Sequence, residues 1–116
     1  MFYLWSKESM DIREVKTQLT AILQNLPTHY SQIGARKLML SFENYKQLAR
    51  SLVNNYSIVR SGVHSEFDEI EADIKTAIRG TPKKEAELRF GAAKRNMEEN
   101  IKHILAVDEQ GFIKAD

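Results

Sequence analysis

The sequence predicts an all-α fold: an antiparallel helical bundle built on one long central helix, about residues 36–79, flanked by helices over about 9–26 and 82–106. Three observations carry this. Between Leu38 and Ala77, twelve apolar residues (Leu38, Phe42, Tyr45, Ala49, Leu52, Tyr56, Val59, Val63, Phe67, Ile70, Ile74 and Ala77) recur in alternating steps of four and three. Such spacing averages about 3.5 residues and keeps one stripe of a helix turned toward one partner surface. The stripe lies between the two prolines of the chain, Pro27 and Pro82. Outside them, two further segments repeat apolar residues at helical spacing.

Met1 to Trp5 is an apolar run, too short for a signal-peptide core or a membrane span. Residues 1–8 therefore read as an apolar N-terminal tail that packs on the chain's own helices or on a second copy, because bulky side chains in a row are costly to leave in water. The first helix, from residue 9 or 11 to 26, repeats Ile12, Val15, Leu19, Ile22, Leu23 and Leu26, with Asp11 and Glu14 spaced as a capping box. Pro27 ends it, and residues 27–35 form a connection long enough for a reversal.

The central stretch contains Gly62, preceded by Asn54-Asn55, and is either continuous or broken there. A glycine inside a helix costs only about 1 kcal/mol relative to alanine. Val59, Val63 and Phe67 also keep the stripe in step across it, so one helix of about 60 Å is expected. The alternative is a hairpin at 60–64, giving a four-helix up-down bundle.

Gly80-Thr81-Pro82 supplies a glycine to end one helix, a threonine to cap the next and a proline for its first position. The last helix then buries Ala86, Phe90, Ala93, Met97, Ile101 and Ile104, with Leu88, Ala92 and Leu105 widening the face. Residues 107–116 are a C-terminal tail in which Phe112-Ile113 forms an apolar latch. The first and last helices together match the length of the central one. Laid along it, they would cover its stripe on one side only, and this incomplete burial predicts a homo-oligomer.

Residues 1–116 form a single helical domain by size. An apolar fraction of 42% with 28% charged residues is that of a folded chain, which argues against wholesale disorder. Cysteine is absent, which excludes disulfide frameworks, thiolate metal sites and cysteine nucleophiles and suits a cytoplasmic location. The net charge of +1 hides an asymmetry. Residues 27–62 carry Arg36, Lys37, Lys46, Arg50 and Arg60 against Glu43, while residues 63–80 carry Glu66, Asp68, Glu69, Glu71 and Asp73 against Lys75 and Arg79. Basic and acidic halves of one stripe fit antiparallel self-association.

Few residues suggest chemistry. Arg60-Ser-Gly-Val-His64 sets an arginine and a histidine one helical turn apart, groups able to hold a strained phosphate and move protons. These five residues resemble the motif of HEPN-type helical ribonucleases, in which the two are separated by a longer stretch than the three residues here. That resemblance implies a metal-free ribonuclease. His64 with Asp68, and Glu99 with His103, are helical pairs that each offer half a metal site. In a hairpin closed at Gly80-Thr81, opposed residue numbers sum to about 161, which keeps the two half-sites apart, and Asn100 stands where a di-iron bundle would need glutamate. Tyr30 to Leu48 has features of a helix-turn-helix, with Ala35 before a possible turn and Ser41 after it, but Met39 occupies the turn glycine's place. No phosphate-cradling glycine loop or nucleophile elbow is present.

The expected function is accordingly that of a non-enzymatic helical interaction protein: an adaptor, inhibitor or immunity-type binder. Its partners would be itself and another protein, or a small ligand held at a subunit interface. No catalytic residue, metal ligand, cofactor or membrane contact is assigned. The candidate interface residues are Phe2, Trp5, Phe42, Tyr45, Tyr56, Arg50 and Arg60, with aromatic residues and arginine chosen because association hot spots favour them. A nucleic-acid-binding regulator is the alternative, and the HEPN-like ribonuclease a more distant one.

Overall fold

A computed structural model describes residues 12–55 and 67–106. They form four helices packed as an all-helical bundle: α1 (Ile12–Gln24), α2 (Gln32–Asn55), α3 (Phe67–Arg79) and α4 (Lys83–Ala106). The tails at 1–8 and 107–116, Gly62 and the expected hairpin positions 60–64 lie outside the described residues.

The expected central helix is present as two helices, α2 and α3, lying side by side and antiparallel. At one end the Gln32 side-chain amide donates to the Ile78 carbonyl at 3.0 Å, and the Tyr30 hydroxyl donates to the Ala77 carbonyl at 3.0 Å. At the other end the Tyr45 and Phe67 rings meet edge to face at 5.7 Å, and Lys46 Nζ lies 3.6 Å from Glu71. A single straight helix would hold Gln32 and Ile78 about 70 Å apart. The chain therefore reverses between Asn55 and Phe67, and the hairpin reading replaces the continuous one.

This reversal also removes the reason for expecting self-association. Leu38, Phe42, Tyr45, Ala49 and Leu52 of α2 are buried within one chain, as are Phe67, Ile70, Ile74 and Ala77 of α3. Each half of the stripe covers the other, with α4 closing the core through Phe90, Ala93, Met97, Ile101 and Ile104. Val15 and Leu19 anchor α1 against the same core. No part of the described stripe is left over for a second copy.

Local signals explain the element boundaries. Ser31 caps α2: its Oγ accepts the Gly34 amide at 2.8 Å and its carbonyl accepts the Ala35 amide at 2.8 Å. The helix thus begins at Gln32, earlier than residue 36, with Gly34 inside its first turn. Asn25 finishes α1 by donating both its backbone and side-chain amides to the Ala21 carbonyl. Gly80 ends α3 in the left-handed region at φ 80°, its amide returning to the Thr76 carbonyl. The Pro82 carbonyl accepts the Ala86 amide, which places proline at the cap of α4, one residue beyond the cap position expected for Thr81. On α4, Leu88 departs from its expected burial and is 70% exposed, while Ala92 and Leu105 are half-buried.

Two glycines predict opposite outcomes for one substitution. A Cβ at Gly80 would meet positive φ and lie 2.5 Å from Gln32 Nε2, so Gly80→Ala lowers stability by about 1–2 kcal/mol. At Gly91, inside α4, a Cβ meets nothing closer than 4.0 Å, so Gly91→Ala raises stability by about 1 kcal/mol. Urea unfolding midpoints of the two variants would move in opposite directions.

Candidate functional site

The outer line of α2 is the feature that the core does not account for. Helical geometry that points Leu38, Phe42 and Tyr45 inward points Ile33, Lys37, Leu40, Asn44 and Gln47 the other way. Ile33 is 70% exposed and Leu40 64%, two turns apart, or about 10 Å. Between them stand Arg36 and Lys37, both exposed and without an ion pair among the described residues. One turn beyond Leu40, α1 and α2 part to form a cleft of about 300 Å³ lined by Gln18, Ala21, Ile22, Asn44, Gln47 and Leu48. That volume lies at the small end of ligand sites. Its lining carries three uncharged carboxamides around an apolar floor and no ionisable group, so it is suited to recognition by shape and hydrogen bonding.

Electrostatics divide the molecule in the same place. Residues 12–55 carry Arg13, Lys16, Arg36, Lys37, Lys46 and Arg50 against Glu14 and Glu43, a local charge of +4, whereas acids and bases balance over residues 67–106. Lys46, Lys75 and Arg89 all pair with acids of α3 and α4. Glu71 takes Lys75 at 3.3 Å and Lys46 at 3.6 Å, and the hydrogen bond from Lys75 leads in holding its carboxyl below the ordinary range. Arg89 bridges Glu85 at 2.7 Å and Asp73 at 3.6 Å. Asp73 is the charged side chain buried at the α3–α4 contact, 8% exposed, and desolvation raises its pKa despite the nearby guanidinium.

The expected interface residues separate into three groups. Phe42 and Tyr45 belong to the core and are corrected from partner-binding to structural residues: with Phe67 they form a cluster of edge and tilted ring contacts at 5.7–6.4 Å. Arg50 is exposed, its guanidinium 5.9 Å from the Phe67 ring centre, where it covers the end of that cluster. Phe2, Trp5, Tyr56 and Arg60 lie outside the described residues, as does His64 of the ribonuclease-like motif. The helix-turn-helix reading of Tyr30 to Leu48 is overturned, because α2 runs unbroken through Met39 and Ser41. Among the described residues no three histidine, aspartate or glutamate side chains converge to hold a metal ion, and no helix is long and apolar enough to cross a membrane.

Ile33 and Leu40 escaped the sequence reading, although a signal was present: both are large apolar residues standing off the stripe on the opposite side of its helix. Tyr30 escaped it too. Its ring meets Phe90 edge to face at 5.5 Å while its hydroxyl serves α3, so one connection residue joins α3 and α4.

No protein-family model, curated protein or solved structure matches the chain. Its function must be argued from its own surface.

Two measurements test these assignments. Phe42→Ala lowers unfolding free energy by about 3–5 kcal/mol, the cost of a core truncation, and by the same amount at all protein concentrations. For Asp73, a raised folded-state pKa means the native state holds the proton more tightly than the unfolded chain. The stability it contributes is present below the unfolded value and lost as pH rises through the folded one. The stability of Asp73→Asn relative to the parent should therefore improve between pH 4 and pH 6 in urea titrations, and a difference that stays flat or falls would contradict it.

Proposed function

We propose that this chain is a non-enzymatic helical interaction protein, acting by contact in the cytoplasm as an adaptor, inhibitor or immunity-type binder through the outer face of α2. One observation supports the reading. Ile33 and Leu40 are both left in water on one line of a helix whose opposite face already serves the core. Single exposed leucines are ordinary on protein surfaces. Two aligned on one helix, separated by cations that pair with no acid among the described residues and continued by a cleft, form a patch of the kind that partners cover.

The +4 half supports nucleic-acid binding as a second reading. Phosphates would engage Arg36 and Lys37 but leave Ile33 and Leu40 exposed, so the apolar pair favours a protein. A second copy of the chain is a further possible occupant, although the fold does not require one.

Photo-crosslinking in the source cells tests the reading. A photoreactive residue at Leu40 should give discrete protein adducts that are lost when Ile33→Asp is added. The same residue at Arg95, on the outer face of α4, should not give them. An adduct at twice the chain mass would identify the partner as a second copy, and equal labelling from both positions would defeat the proposal.

A further inference from the structure

The chemistry of the α2 face specifies its partner more closely than contact alone. Resting on the reading above, we infer that the face receives an acidic amphipathic helix from another protein, laid along α2 from Ile33 to the cleft between α1 and α2. The exposed line from Ile33 through Leu40 to Gln47 spans 15 residues of α2, a rise of about 21 Å, so a helix of four turns covers it. Apolar side chains of the partner two turns apart would meet Ile33 and Leu40. A further one would enter the 300 Å³ cleft, whose floor is Ala21, Ile22 and Leu48.

Charge complementarity decides the sign of the partner. Arg36 and Lys37 flank the apolar line and pair with no carboxylate among the described residues, in the half of the described bundle that carries +4. Carboxylates beside the partner's apolar stripe would pair with them, whereas a basic helix would meet like charge. A second copy fits poorly, because the acids of α3 and α4 are matched by as many bases and partly occupied by Lys46, Lys75 and Arg89. At the cleft, Gln18, Asn44 and Gln47 can accept or donate, so they tolerate the partner's polar edge without fixing its charge.

The test is selection of helix-forming 18-residue peptides from a displayed library against the full chain, followed by fluorescence anisotropy with synthetic versions of the winners. Enriched sequences should be net acidic, with Leu, Ile or Phe at i, i+3 or i+4, and i+7. Their affinity should fall at least tenfold with Leu40→Asp, three- to tenfold with Arg36→Glu or Lys37→Glu, and progressively with added salt. Circular dichroism melts of the variants should match the parent, because all three positions are exposed. Enrichment of basic or uncharged helices, affinity that survives Leu40→Asp, or no enrichment overturns the inference. Binding to a generic DNA duplex that is indifferent to Leu40 overturns it in favour of nucleic acid. If selection fails while crosslinking from Leu40 succeeds, the acidic-helix inference falls and the interaction reading stands. If both fail, both fall.

Discussion

The fold depends on the chain reversal that sets α2 against α3, and two different interactions hold its ends. At the Gln32 end, the last turn of α3 leaves carbonyls without helical partners, as every helix C-terminus does. Tyr30 takes that of Ala77, and Gln32 takes that of Ile78 at 3.0 Å with a longer contact to Arg79 at 3.4 Å. Gly80 turns the chain immediately afterwards, so close to Gln32 that a methyl group there would collide with its amide. At the other end, Phe42, Tyr45 and Phe67 pack as a cluster, with Lys46 and Arg50 over its rings. Polar satisfaction at one end and aromatic packing at the other define a single register.

From that register follows the fate of the apolar stripe. Folded back on itself, it becomes both walls of a core that α1 and α4 close, and its aromatic residues Phe42, Tyr45 and Phe67 cease to be surface. Association then has to use residues of a different helical phase. This is why Ile33 and Leu40 matter while Phe42 and Tyr45, on the same helix, do not.

Much of this was legible in the residues. Periodicity identified the helical class, Gly80-Thr81-Pro82 located the α3–α4 turn, and the rule that facing residue numbers sum to about 161 anticipates the Asp73–Arg89 pair. The continuity of the stripe misled for a numerical reason. Eleven residues, 56–66, separate α2 from α3, and eleven is close to three helical turns. A connection of that length keeps the apolar count in step whatever path it takes, so phase alone does not separate a long helix from a hairpin. The start of α2 was obscured because Gly34 suggests a loop, whereas its amide is the group that the Ser31 hydroxyl caps. The outer line of α2 was obscured because periodicity draws attention to the face that repeats. Two residues off that face become a feature only once the opposite side is known to be buried.

Residues 12–55 carry a local +4 because only Glu14 and Glu43 oppose six cations there, whereas the eight acids of α3 and α4 are matched by eight bases. There the acids serve internal purposes: Glu71 joins α3 to Lys46 of α2, and Asp73 joins α3 to Arg89 of α4. The α2–α3 contact draws in Lys46 and leaves Arg36 and Lys37 on the far side of the helix, beyond the reach of those acids. Their field is therefore directed outward, beside Ile33 and Leu40. The packing that satisfies the interior also leaves an apolar line with positive flanks facing solvent, and those two properties together select an acidic, amphipathic partner over either a neutral apolar surface or a bare polyanion.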